Sequence, residues 1–105
     1  MENTNIIIAA NSHTQKYFFN PRFSKIPKGV QEELRIIAVK AADSLSCVFC
    51  ICFNEGKVYF ETHEVDEEKD VDSVIKSIVE MHGEVITGLE LWHKVIIQKN
   101  LDDLL

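Results

Sequence analysis

The chain has 105 residues, of which 46% are hydrophobic and 27% charged, and its net charge is −6. These values are typical of a single globular domain, residues 1–105, and they argue against a disordered chain. An acidic chain without a Lys/Arg-rich block lacks the cationic surface that nucleic-acid phosphates require, so we expect no nucleic-acid partner.

The sequence carries no pattern typical of membrane insertion or export. Its longest apolar run inside an expected element is Ile6–Ala10, which is shorter than the ~20 residues of a membrane helix and the roughly 7–15 of a signal-peptide core. The first residues, MENTN, are not basic. We therefore expect a cytoplasmic protein with no membrane partner, in which the cysteines are reduced.

A β-hairpin is predicted first, with strands at 5–10 and 15–19. The β-branched and small residues Ile6–Ala10 are followed by the turn-forming residues Asn11–Thr14, and then by a strand rich in aromatic residues. Asn20-Pro21 ends the second strand, because proline supplies no hydrogen-bond donor to a sheet.

An amphipathic helix is predicted next, starting near Pro27, where proline is tolerated. Apolar residues recur after Gly29 at offsets that form one face of an α-helix. The residues of this face are Val30, Leu34, Ile37, Ala41 and Leu45.

A second hairpin follows, formed by CVFCICF (residues 47–53), the turn residues Asn54–Gly56 and the segment KVYFETHEV. A two-residue loop would pair Phe53 with Val58 and Ile51 with Phe60. A bulge at Gly56 would shift this register by one residue. We favour the first register, because it pairs apolar residues.

An acidic connector, Glu64–Asp72, leads to a second helix that Asp70 or Asp72 can cap. Its apolar period runs from Val71 to Ile96. Either one long helix continues to Lys99, or the chain breaks near Gly83 or Gly88, and Val95–Ile97 would then suit a short strand. We favour the helix.

The element order is therefore ββαββα. We expect an α+β fold in which a four-stranded antiparallel sheet carries two helices on one face, the second helix being long.

The closely spaced Cys47, Cys50 and Cys52 raise the question of a metal or redox site. Because the side chains of a strand alternate between its faces, Cys47 and Cys50 should point to opposite sides, with Cα atoms about 10 Å apart. They can then neither form a disulfide nor share a metal ion. We expect buried cysteines that serve packing.

Other catalytic and metal-binding patterns are weak. His82 and His93 lie about 16 Å apart along one helix and cannot bind one ion. The acidic connector lacks the glycine and glutamate of a calcium-binding EF-hand loop. A Cys47–His63 pair would bring a nucleophile to a base only in the shifted register. With no nucleotide-binding or hydrolase motif, we assign no catalytic residue, metal or cofactor.

The most distinctive polar segment is NSHTQKYFFNP, residues 11–21. One interpretation is a turn, an amphipathic strand and a proline exit. The other is a recognition surface, since turns on a rigid sheet often carry binding groups. Its candidate binding residues are Asn11, Ser12, Gln15, Lys16, Tyr17 and Asn20.

This segment also carries a family resemblance. The sequence ANSHTQKYFFNPRF, followed by IPKGVQEEL, resembles the opening of a family of small, uncharacterised bacterial proteins of the Firmicutes type. That family shows A-N-S-x-x-Q-K-Y, an aromatic residue, N-P and then P-x-x-x-Q-x-E-L, and LELWHKV resembles its closing helix. The CVFCICF strand departs from the pattern. The resemblance implies no activity, and it implies a role for the motif residues in folding or in binding.

We expect a non-catalytic interaction domain that forms a homodimer. The second kind of partner we consider is an unidentified protein. The second helix carries more apolar surface than one sheet face hides, which predicts an interface at Leu91, Trp92 and Ile97. CVFCICF is apolar on both sides, so a partner chain is expected on its second face. The alternative is a small-ligand-binding protein or an enzyme, with a pocket near residues 11–20.

Overall fold

The first hairpin consists of β1, Ile6–Asn11, and β2, Lys16–Phe19. It belongs to a computed structural model that describes residues 5–104, and the side chains of residues 5–94. Gln15 ends the connecting turn with φ = 58°. A short 3-10 helix, Pro21–Phe23, follows β2. Both strands lie within one residue of the predicted ranges.

Helix α1, Lys28–Leu45, covers the centre of the sheet, where it packs on β1 and on the strand that follows α1 in the chain. It starts directly after Pro27 and ends at Ser46, whose left-handed conformation lets its N–H bond to the carbonyl of Ala42. The apolar face predicted from the sequence is the buried face, formed by Leu34, Ile37, Ala38, Ala41, Ala42 and Leu45.

The second hairpin pairs β3, Val48–Asn54, with β4, Lys57–His63. Glu55 and Gly56 both have positive φ, 51° and 81°, as a two-residue type I′ turn requires. Phe53 pairs with Val58 and Ile51 with Phe60, so the favoured register is confirmed and the shifted register is wrong.

Helix α2 spans Val71–Leu104. Asp70 caps its first turn, because its carboxylate accepts the Ser73 N–H at 3.0 Å. The helical backbone includes the segment 95–97 that could have formed a strand. His82 interrupts it with φ −125° and ψ 22°, so two helical segments meet at a kink just before Gly83. The helix continues through Gly88, where a break was the other possibility.

The four strands form one antiparallel sheet in the order β2-β1-β3-β4, with both helices on one face, as the sequence predicts. Between this face and the helices lies the core, which includes Phe49 and Ile51 of β3. A bulge between Ile6 and Ile8 lets both Ile7 and Ile8 enter the core. The opposite face of the sheet carries Ala9, Cys50 and Cys52, and it is called the helix-free face below.

The cap at the start of α2 gives a test of this boundary. Changing Asp70 to Ala should lower the free energy of unfolding by about 1 kcal/mol, because one N–H group at the helix start loses its acceptor. Asp70→Asn is the matched control, since its side-chain oxygen can still accept the Ser73 N–H and the variant should lose less stability. Urea unfolding of both variants measures the difference, and equal losses would contradict the assignment of the cap.

Candidate functional site

The three cysteines are buried packing residues divided between the two faces of the sheet. Cys47 precedes β3 and belongs to the core, whereas Cys50 and Cys52 lie on the helix-free face. All three are free thiols, and none is more than 2% exposed. Desolvation by burial, helped by the charge of Glu61, raises the pKa of Cys50 to about 11 and that of Cys52 to about 12. Such thiols stay protonated at neutral pH and are poor nucleophiles.

The register of the second hairpin separates the residues that might have formed a catalytic pair. His63 lies opposite Val48 and not opposite Cys47. Its nearest charged partner is Glu61, with the imidazole Nε2 3.5 Å from the carboxylate. Burial also raises the pKa of the Cys47 thiol. The hypothesis of a Cys47–His63 nucleophile and base is therefore wrong.

Asn11 and Gln15, both predicted as binding residues, hold the β1–β2 turn. The Asn11 side-chain oxygen accepts the N–H groups of His13 at 2.9 Å and Thr14 at 3.3 Å, which is an Asx turn. Gln15 donates its side-chain amide to the Ser12 carbonyl at 2.7 Å. The hydrogen bonds of these two amides thus stay within the turn.

Asn20 closes the other end of the hairpin. Its side-chain amide donates to the Ile6 carbonyl at 2.9 Å, and its oxygen accepts the Arg22 N–H at 3.0 Å. Farther along the motif, Gln31 donates to the carbonyls of Ser24 and Ile26 and so ties the loop to α1. These amides satisfy backbone groups, which is a role in folding.

The remaining candidates, Ser12, Lys16 and Tyr17, line a concave site of about 250 Å³ between the β1–β2 turn and α1. The Arg35 guanidinium lies over the Tyr17 ring, 5.8 Å from its centroid. Arg35 is also paired with Glu32, which lowers the pKa of that carboxyl and raises that of the guanidinium. Arg35 and Asp43 complete the wall of the site.

Sequence reasoning did not find these two α1 residues. Nothing in their spacing marks them as site residues, because both belong to an ordinary charged face of an amphipathic helix. Only the packing of α1 across the sheet brings them beside the turn.

The predicted interface residues of α2 lie in different environments. Leu91 is 56% exposed, whereas Trp92 is partly buried against the core. The side chain of Ile97 lies outside the described residues. Exposed Val79 and Met81 lie on other sides of the helix, so the described part of α2 presents scattered apolar side chains and no continuous stripe.

Two classes of site are not found in the part of the chain that the structure describes. No group of three or more potential metal ligands comes together among these residues. None of the helices found there combines the length and the apolar character needed to cross a bilayer.

A family of unknown function, DUF6145, matches residues 4–101, so the chain belongs to that family. The match extends the resemblance seen at the N-terminal motif to nearly the whole chain. No curated protein and no solved structure matches the chain.

The role of Asn11 in folding can be tested against its neighbour. Asn11→Ala removes the acceptor of two backbone N–H groups and should lower the free energy of unfolding by about 1 kcal/mol. Ser12→Ala is the control, because Ser12 joins the network through its backbone N–H, which donates to the Cys47 carbonyl, and should change stability by less than about 0.5 kcal/mol. Denaturant unfolding measures both variants, and an unchanged free energy of unfolding in Asn11→Ala would contradict the folding role.

The packing role of the cysteines predicts slow thiol modification. The native protein at neutral pH should react with a disulfide reagent far more slowly than the denatured chain, because its thiols are buried and protonated. An added thiol at an exposed α2 position, in Ser77→Cys, is the positive control and should react at once. Rapid modification of a native cysteine would show that the helix-free face opens to solvent.

Proposed function

We propose that the protein is a non-catalytic, cytoplasmic interaction domain that forms a homodimer through the helix-free face of its sheet. The observation that carries the proposal is that this face has no covering helix or strand among residues 5–94, while Phe18 on it is 55% exposed. The sequence resemblance and the lack of an export pattern in the sequence support a bacterial, intracellular setting.

The helix-free face has small apolar residues in the middle and larger groups around them. Ala9, Cys50 and Cys52 form the centre, and Phe18 on β2 is 55% exposed at one side. Among residues 5–94, no helix or strand packs against this face. Covering apolar surface is favourable by roughly 25 cal/mol per Å². Because Cys50 and Cys52 are already buried, a partner would gain mainly from covering Phe18.

A second copy of the chain suits this surface. Strands spaced about 4.8 Å apart and about seven residues long give a face of roughly 20 Å by 20 Å, which can stack on another sheet about 10 Å away. A two-fold axis parallel to the strands would set β2 of one copy over β4 of the other. Lys16 would then face His63 of the partner subunit and Phe18 would face Glu61 of the partner subunit, so that this carboxylate lies one side-chain repeat along the strand from Lys16.

Two alternatives have weaker support. Leu91, exposed on α2, offers a second dimer surface together with the edge of Trp92, but it is not part of a continuous apolar patch. A small-ligand site is favoured by the concavity beside Tyr17 and Arg35, although its two amide side chains, Asn11 and Gln15, are used by the turn.

Sedimentation of the purified protein tests the proposal. The wild-type chain should be a dimer at tens of micromolar. Ala9→Arg places a charge at the centre of the face, where a dimer would have to bury it, and should raise the dissociation constant about 100-fold or more.

Leu91→Arg is the matched control, since it adds the same charge to an exposed position on α2. It should leave the dimer intact, with thermal unfolding confirming that both variants fold. A monomeric wild-type protein would overturn the homodimer. If Leu91→Arg dissociated the dimer and Ala9→Arg did not, the dimer interface would lie on α2 and not on the helix-free face.

A further inference from the structure

The two edge strands of the sheet, β4 and β2, differ in what contacts their outer side. At the β4 edge, the outward N–H of Val58 donates to the carboxylate of Glu90 at 3.0 Å, and α2 packs beside the strand. At the other edge, β2 is the outermost strand, and no strand among residues 5–94 lies beyond it. An edge strand of this kind can pair with another extended segment.

The ladder identifies the backbone groups that this edge presents. Asn20 donates its N–H to the Ile7 carbonyl at 2.8 Å, next to the Ile8–Phe19 pair. Inward and outward groups alternate along an antiparallel strand. The N–H and C=O groups of Tyr17 and Phe19 therefore point away from the sheet.

Aromatic side chains flank these groups on both sides of the sheet. Tyr17 is 54% exposed on the helix side, beside Arg35, and Phe18 is 55% exposed on the helix-free face. A strand added at this edge would place successive side chains against one ring and then the other. Aromatic cross-strand contacts of this kind stabilise sheets.

Charge is distributed unevenly in relation to this edge. Residues 3–31 contain four Lys or Arg and no acid, whereas residues 32–105 contain seven Lys or Arg and sixteen acids. Lys16 begins β2, Arg22 follows it in the 3-10 helix, and both are exposed, as are Lys25 and Lys28. Lys16 and Arg22 thus flank the free edge, while Asp43 of α1 lines the site beside Lys16 and Tyr17.

We infer that the outer edge of β2 binds an extended, acidic peptide segment of a partner protein, which adds as a fifth strand. The outward groups of Tyr17 and Phe19 would supply main-chain hydrogen bonds, and the cations would select acidic side chains. The shortness of β2 and the presence of Lys16 limit indiscriminate pairing. This inference does not require the homodimer, although the edge and the helix-free face share Phe18 and Lys16.

Charge favours this occupant over the two others that a free edge suggests. A second copy pairing through the same edge would bring together two strands flanked by the same cations. A nucleic-acid backbone supplies acceptors for the cations but not the alternating donors and acceptors that match an open strand.

The test uses an acetylated eight-residue peptide of alternating glutamate and valine, with the lysine–valine peptide as its counterpart. The acidic peptide should bind to the wild-type protein with a dissociation constant below about 1 mM at low salt, and more weakly at 0.5 M salt. The lysine–valine peptide should not bind. Absence of binding by the acidic peptide, or equal binding of both, would overturn the inference.

A matched pair of variants isolates the main-chain contribution. Tyr17→Ala and Tyr17→Pro both remove the ring, but only proline removes the outward N–H, and proline is tolerated on a free edge. Affinity should be about tenfold lower for Tyr17→Pro than for Tyr17→Ala. Equal affinities would exclude strand addition.

The same test can be made on the peptide, which keeps it decisive if Tyr17→Pro does not fold. N-methylation of alternate residues should abolish binding in one set of positions and leave it intact in the other, because only every second N–H faces β2. Uniform tolerance of N-methylation would contradict strand addition.

Arg22→Glu tests the charge, with Lys57→Glu on β4 as the control at the opposite edge. Arg22→Glu should weaken binding at low salt at least threefold, and Lys57→Glu should not. Sedimentation of Tyr17→Pro, together with its peptide affinity, separates the two proposals, since Tyr17 lies on the helix side and the variant should lose peptide binding while keeping the dimer. Binding of single-stranded oligonucleotides in preference to the acidic peptide would replace the inferred partner by a nucleic acid.

Discussion

The structure depends on β3 being buried on both of its faces. Phe49 and Ile51 pack under the helices, while Cys50 and Cys52 fill the centre of the opposite face. A strand apolar on both sides cannot lie at an open edge, so β1 and β4 flank it. The alternation of its side chains also decides its chemistry, because it separates Cys47 from Cys50 and Cys52 and leaves each thiol in an apolar setting.

Around this strand, polar side chains mostly serve the backbone. Asn11 and Asn20 satisfy N–H and C=O groups at the two ends of β2, and Gln31 binds the loop that leads into α1. These interactions hold the turn and the loop in place. A turn held in this way keeps the register of the hairpin, and with it the face on which every side chain of β2 lies.

Other parts of the chain cover some edges and faces of the sheet and leave others uncovered. Helix α2 is long enough to cover one face and to supply Glu90 to one edge, and its kink at His82 adjusts its course over the sheet. One face and one edge are left without a covering element among residues 5–94. Both uncovered surfaces carry exposed aromatic residues of β2, which is why both proposals centre on interactions with other chains.

The sequence by itself determined the order of elements, the faces of both helices, the register of the second hairpin and the separation of Cys47 from Cys50. These follow from periods of 2 and 3.6 residues and from turn chemistry, which are local properties. It did not determine the kink at His82, because Gly83 and Gly88 offered equally plausible breaks. It also did not identify the backbone groups to which Asn11, Gln15 and Asn20 bind. Only the tertiary structure decided these points, because each depends on which groups from distant parts of the chain come into contact.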